Sequence, residues 1–161
     1  MALNKADLVK RLEALEAEKQ IRETLHNYSH TIDYGPGERW ANAVFTSDGV
    51  FDVFTVDGRP IHKENGRAEL DAYLETKKLP PVQYDKHLIF SPLIAVDGDE
   101  ATVESYFVCF DDISDQPRIF VFGRYSDKLV KENGRWLFKE RLAETEVTGP
   151  HRRRPVTEKA E

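Results

Sequence analysis

The stretch RIFVFGRYSDKLVKENGRWLFKERLAET, from Arg118 to Thr145, decides the fold. Its two halves, Arg118–Glu132 and Arg135–Thr145, are rich in β-branched and aromatic residues and flank the dipeptide Asn133-Gly134. An Asn-Gly pair between two such segments is a strong short-range signal for a tight antiparallel hairpin. The stretch therefore predicts two long antiparallel strands.

Two more segments of the same character precede this hairpin. They are His87–Val96 and Ala101–Asp111, joined by Asp97-Gly98-Asp99, and an Asp- and Ser-rich loop at 111–116 connects the second of them to Arg118. Because short connections containing Gly and Asp suit antiparallel neighbours, the four segments together predict one meander.

The first part of the chain is helical in pattern. Apolar residues recur at mostly three- and four-residue steps over residues 5–33, and Gly35-Pro36-Gly37 then ends the helix. The elements that follow are shorter: a helix at Glu38–Phe45, a turn at Thr46–Gly49, a strand at Val50–Val56, a hairpin turn at Asp57-Gly58 and a helix at Ala68–Lys77. Helices followed by a meander predict an α+β fold, in which a cone-shaped, curved antiparallel sheet wraps around N-terminal helices. We expect one domain over residues 1–146 and a polar tail over 147–161.

The charge balance argues against several classes of partner. The formal net charge is −6 and the isoelectric point is about 5.4, which disfavours binding to nucleic acid or to an anionic membrane surface. No stretch approaches the roughly 20 apolar residues of a membrane span, and residues 1–20 lack the apolar core of a secretion signal. We therefore expect a cytoplasmic protein. The single cysteine, Cys109, lies in an apolar run and is predicted to be a buried, unreactive thiol.

Asp33 and His87 are the residues with the most chemical content. Asp33 follows an apolar stripe near the C-terminal end of the first helix, where a negative charge opposes the helix dipole. It is therefore either a solvent-exposed residue or a residue with a functional role. His87 opens a strand and is either a structural histidine or, paired with Asp33, a general acid or base whose charge changes near neutral pH. Tyr28, on the same helix as Asp33, adds a phenol that such a site could use.

Further candidates lie on the strands and helices. Arg141 shares a face with Lys139 if the last strand alternates regularly, and its guanidinium would form a surface salt bridge or, in a cavity, pair with Asp33 or hold a substrate oxyanion. Aromatic side chains either fill the core or line a cavity for a flat or polycyclic ligand; the candidates for that wall are Trp40, Phe51, Phe54, Tyr106, Phe120 and Phe122. His26 and His30 have the i, i+4 spacing of metal ligands, but no carboxylate stands at a matching position, so we predict no metal site.

Several short motifs of this chain, in their order and spacing, resemble those of a SnoaL-like member of the nuclear-transport-factor-2-like superfamily. The resemblance extends over roughly residues 10–145, and the matching segments are Tyr28–Asp33, Trp40–Phe51, Lys86–Leu88, Val96–Val103, Gly123–Asp127 and Asn133–Trp136. The resemblance implies a cystatin-like α+β barrel, often dimeric through its sheet, and we expect a homodimer or a homotrimer.

Within this superfamily, the set of tyrosine, aspartate and histidine resembles that of scytalone dehydratase and bile acid 7α-dehydratase. Those enzymes eliminate water without a metal or an organic cofactor, so the resemblance implies no cofactor here. It assigns Asp33 to orient or charge the histidine, His87 to abstract a proton from carbon, and Tyr28 to polarise a substrate oxygen. It also implies that Arg141 lies near the pocket.

The leading hypothesis is a cofactor-independent lyase of the dehydratase type, acting on a small hydrophobic cyclic or polycyclic substrate. An isomerase or a polyketide-type cyclase could use the same Asp–His pair. A protein that only binds a small ligand, or only another protein, would instead use these polar side chains as a structural hydrogen-bond cluster. Hydrogen bonding between Asp33 and His87 inside an accessible pocket would favour the enzyme.

Overall fold

The structure is a computed structural model, and it describes residues 4–35, 37–77, 79–112 and 116–146. In chain order its elements are α1 (Lys5–Tyr34), α2 (Gly37–Val44), β1 (Phe45–Thr55), β2 (Pro60–Asn65), α3 (Gly66–Glu75), β3 (Lys86–Asp97), β4 (Glu100–Asp111), β5 (Arg118–Glu132) and β6 (Arg135–Thr145). The predicted tail at 147–161 lies outside the described residues. Within those residues, no helix is long and apolar enough to cross a bilayer.

Across the described segments, a six-stranded sheet in the order β2-β1-β6-β5-β4-β3 forms the body of the fold. β3 to β6 make the antiparallel meander that the sequence predicts, whereas β1 lies beside β6 as a parallel neighbour. The turn between β5 and β6 has positive φ angles at Asn133 (50°) and Gly134 (77°), as an Asn-Gly hairpin requires. Helices packed against this curved sheet confirm the predicted α+β fold.

β1 begins earlier than the sequence predicts. Thr46–Gly49, expected to be a turn, belongs to the strand. Phe45 pairs with Phe138, and the ladder resumes at Val50 opposite Glu140, so the intervening residues occupy an irregular stretch of β1. The prediction of a turn was wrong because a short sequence containing glycine also suits a β-bulge.

α1 is one continuous helix, of which only the second half packs against the rest of the fold. Its buried positions run from Ala17 to Asp33, whereas Leu8, Leu12 and Leu15 are each more than half exposed. The packed half contacts β3, β6 and α2. Asp33 therefore lies in the half of α1 that is fixed by packing against the core.

A bulge at Lys139 changes which side of β6 faces the interior. The ladder between β5 and β6 skips Lys139, which is an extra residue in its strand. Arg141 consequently faces inward together with Phe138, and both are fully buried, while Lys139 forms an ion pair with Asp48. The expectation that Arg141 shares a face with Lys139 was therefore wrong.

Candidate active site

Asp33 and His87 meet where α1 ends against the start of β3. One carboxylate oxygen of Asp33 lies 2.5 Å from His87 Nδ1, and the other accepts a hydrogen bond of 3.1 Å from the His87 backbone N–H. Both side chains are buried, with 5% of Asp33 and 8% of His87 exposed. A single carboxylate thus holds both the backbone and the ring of the histidine.

This geometry determines which ring nitrogen of His87 can act on a ligand. An ionised carboxylate only accepts hydrogen bonds, so Nδ1 carries the ring hydrogen and Nε2 keeps its lone pair. If Nε2 then gains a proton, the adjacent Asp33 carboxylate stabilises the imidazolium. The pair therefore has the arrangement of an oriented general base.

The protonation of His87 gives a first testable expectation. Burial lowers its pKa below the usual 6.5; the hydrogen bond to Asp33 opposes this effect, and the nearby Lys77 ammonium adds to it. We expect the folded protein to keep this ring neutral at pH 7. As the pH falls through 6.5 the unfolded chain takes up the proton first, so the free energy of unfolding should decrease.

An NMR titration of the imidazole signals measures this pKa directly, and the spectrum of His87→Asn assigns the resonance. A midpoint below 6.5 is expected. A midpoint above that value would mean that the Asp33 carboxylate, and not burial, dominates the environment of the ring.

Tyr28 is completely buried beside the pair, and its ring centroid lies 6.3 Å from that of His87. Among the described residues its hydroxyl has no hydrogen-bond partner of acceptable geometry, although the Tyr125 phenol is close enough to affect its pKa. Burial raises the pKa of Tyr28, so the phenol remains a protonated donor at neutral pH. A buried donor without a partner is uncommon in proteins, and a ligand oxygen would satisfy it.

Arg141 pairs with Asp127 and not with Asp33. Its Nε and Nη2 donate to the two oxygens of the Asp127 carboxylate at 2.9 and 3.0 Å, and both side chains are fully buried. The guanidinium lies over the rings of both Tyr28 and Tyr125, 3.9 and 3.8 Å from their centroids. The expected surface salt bridge and the expected pairing with Asp33 are therefore both wrong, and the contact that Arg141 makes with the site is with the Tyr28 ring.

A cavity of about 210 Å³ lies next to the Asp33–His87 pair. Its lining includes His87 and Tyr28 together with two of the predicted wall residues, Phe51 and Phe120. Small-molecule sites usually measure roughly 300–1,000 Å³. The smaller volume here suits a ligand of one or two rings better than a polycyclic one.

The other predicted wall residues lie outside the cavity lining. Trp40 is fully buried in the core, where its ring packs against Phe45 with centroids 5.1 Å apart. Tyr106 and Phe122 are 58% and 42% exposed on the outer face of the sheet, because the residues on either side of each turn inward. Phe54 is half-buried on the side of β1 that faces away from the cavity.

Three cavity residues of chemical interest were not among the sequence candidates: His62, Tyr73 and Lys77. The His62 ring stacks on Tyr73 with centroids 4.6 Å apart, and its Nδ1 lies 2.9 Å from a carboxylate oxygen of Glu64. The cavity therefore has a second imidazole–carboxylate pair on the wall formed by β2. Lys77 contributes an ammonium just after α3.

Two patterns in the sequence could have identified these residues. The Asp57-Gly58 turn pairs β2 with β1, and because Val53 faces inward, its partner His62 faces inward as well. Lys77 follows Tyr73 by four residues, the spacing that places two side chains on one face of a helical turn.

Comparison with known proteins identifies the family of this chain. A model of the SnoaL-like domain matches residues 13–142, which is most of the chain. The chain belongs to the SnoaL-like family. This confirms the resemblance that the sequence motifs indicated. No curated protein matches the sequence closely enough to serve as a relative.

Solved structures resemble this SnoaL-like chain over most of its length. One is a variant of Rv3472, a protein of unknown function from Mycobacterium tuberculosis (28% identity, covering 91% of this chain and 78% of that one, TM-score 0.70). Another is a candidate scytalone dehydratase from Novosphingobium aromaticivorans (26% identity, 86% and 90% covered, TM-score 0.68). A third, from the same organism, is an NTF2-like protein with a cystatin-like fold (19% identity, 92% and 93% covered, TM-score 0.73). These similarities confirm the cystatin-like architecture of the SnoaL-like chain.

Proposed function

We propose that this SnoaL-like protein is a cofactor-independent enzyme that takes a proton from a carbon next to a carbonyl and then eliminates water from a small cyclic substrate. The observation that carries the proposal is the His87 imidazole, held through Nδ1 by Asp33 at the edge of a cavity lined mainly by apolar and aromatic side chains. The likeness to a candidate scytalone dehydratase supports the same reaction type.

The reaction needs one base and one donor of hydrogen bonds. His87 Nε2 takes the proton, and the electron pair of the broken C–H bond forms an enolate whose oxygen accepts a hydrogen bond from the Tyr28 hydroxyl. The carbonyl then re-forms, the electron pair makes a C=C bond, and the bond to the leaving hydroxyl breaks. The imidazolium returns its proton to that oxygen, so water leaves and His87 is neutral again.

The contributions that we expect from His87 and Tyr28 to the reaction rate are typical of a general base and an oxyanion donor. A positioned general base contributes about 10²–10⁴-fold to the rate. A single donor to a developing oxyanion contributes about 10²–10³-fold. An isomerase would use the same first step and return the proton to a different carbon, so the two reactions are separated by their products.

The experiment uses 3-hydroxy-1-tetralone, a two-ring β-hydroxy ketone whose loss of water gives 1-naphthol. Incubation in D₂O, followed by NMR, records both the product and deuterium uptake at the carbon next to the carbonyl. We expect both to be accelerated by the protein. Deuterium uptake without 1-naphthol would favour an isomerase, and the absence of both across a panel of cyclic β-hydroxy ketones would contradict the enzymatic proposal.

Tyr28→Phe tests the proposed oxyanion donor. We expect kcat to fall by about 10²–10³-fold, because the enolate oxygen loses its hydrogen bond while the buried ring stays in place between its neighbours. Tyr84→Phe, which alters an exposed tyrosine outside the cavity lining, is the matched control and should leave kcat unchanged. If Tyr28→Phe keeps the wild-type kcat, the tyrosine serves only for packing.

A further inference from the structure

We infer that Lys77 forms an anion-binding subsite in the cavity, and that the ligand carries an ionised carboxylate on its flat ring. This inference rests on the proposed function in one respect: it takes the cavity beside His87 as the ligand site. It adds a substrate class, since nothing in the Asp33–His87 pair requires the substrate to be charged.

The first observation is where the Lys77 ammonium lies. The side chain lines the same cavity as His87 and Tyr28. Among the described residues no carboxylate lies within 4.0 Å of its Nζ, so it has no ion-pair partner there. The ammonium lies 5.6 Å from the centroid of the Tyr73 ring.

The second observation is the environment of this charge. Burial lowers the pKa of Lys77, and the more distant carboxylates of Asp85 and Asp33 only partly oppose that effect. The Cys109 thiol does not supply a counter-charge, because burial raises its pKa to about 12. Lys77 is half-buried; a partly desolvated ammonium without a counter-ion is unfavourable, and an anionic ligand would relieve the cost.

The shape and lining of the cavity restrict the rest of the ligand. Aromatic rings from Phe51, Phe107 and Tyr125 line the same cavity as the ammonium. A volume of about 210 Å³ leaves room for one or two fused rings. A planar aromatic or alicyclic carboxylate fits this combination of an apolar wall and one uncompensated positive charge.

The test is a binding measurement that needs no turnover. Isothermal titration calorimetry at pH 7 gives two dissociation constants for the wild-type protein. One is for 2-naphthoate, and the other is for its neutral counterpart 2-naphthamide. We expect the carboxylate to bind more tightly than the amide. Lys77→Met should weaken 2-naphthoate about 10- to 100-fold, the usual range for one hydrogen bond to a charged group, and change 2-naphthamide less than about 2-fold.

Lys86→Met is the matched control, because it removes the same charge from a lysine that lies against Tyr34 and Tyr84 outside the cavity lining. It should leave both dissociation constants unchanged, and Lys77→Arg should keep most of the preference for the carboxylate. The inference is overturned if 2-naphthoate does not bind, if it binds no better than 2-naphthamide, or if Lys77→Met binds it as the wild type does. The proposed elimination is judged separately, by turnover of uncharged ketones.

Discussion

His87→Ala should lower kcat/KM for the elimination about 10²–10⁴-fold, because it removes the proposed general base. The fold should survive, since the ring occupies one edge of the cavity and the β3–β4 pairing does not depend on it. His26→Ala, which alters an exposed histidine on α1, is the matched control and should keep wild-type kinetics. Steady-state rates, with circular dichroism to check the fold, make the measurement.

Asp33→Asn should produce a loss of similar size for a different reason. The remaining amide oxygen can still accept the hydrogen bond from the His87 backbone N–H, so the start of β3 stays attached to α1. The amide cannot stabilise an imidazolium as a carboxylate does, and its NH₂ group can favour the tautomer in which Nε2 carries the hydrogen. Full activity in either His87→Ala or Asp33→Asn would refute the mechanism.

Arg141→Met should reduce the free energy of unfolding by about 3–5 kcal/mol, the largest change in stability that we expect from a single substitution in this protein. The substitution leaves the Asp127 carboxylate fully buried without its partner. Burial already raises the pKa of Asp127 to about 6 against the opposing charge of Arg141, so removal of that charge should favour a protonated carboxyl. Urea denaturation followed by fluorescence measures the change.

Two comparisons make this result specific to the buried pair. Arg124→Met removes an arginine that pairs with Glu144 at a half-exposed position, where water screens the interaction, so the free energy of unfolding should change little. Replacing Arg141 and Asp127 together by Met and Leu should recover much of the loss, because no uncompensated charge remains. A cost for Arg141→Met no greater than that for Arg124→Met would show that the buried pair contributes little to stability.

The sequence predicted the architecture because local signals and the global fold agree. The Asn133-Gly134 turn and the alternation on either side of it are sufficient to set the β5–β6 hairpin, and the meander follows from similar turns. The pairing of Asp33 with His87 was also expected, since each residue stands at the end or the beginning of an element that the apolar pattern identifies.

The cavity wall was harder to predict because both faces of the sheet are aromatic. Tyr106 and Phe107 are neighbours in β4, and only the second turns inward. Composition cannot distinguish the two faces; that needs the register of the strands against the helices, which becomes available only when the chain is folded. His62 was missed for a different reason: its inward position follows from its pairing with Val53 across the Asp57-Gly58 turn, and β2 was not predicted as a strand.

The extra residue at Lys139 implies that the site depends on an interruption of the β5–β6 ladder as much as on the composition of β6. If β6 instead paired regularly with β5 through Lys139, Arg141 and Ala143 would turn outward, and Leu142 and Glu144 would take the inner side. Tyr28 would lose the cation against its ring, and Asp127 would lose its partner. The bulge therefore matters more than the identity of the residue at position 139, because a regular ladder in its place would reverse the inner and outer sides of the strand from Glu140 onward.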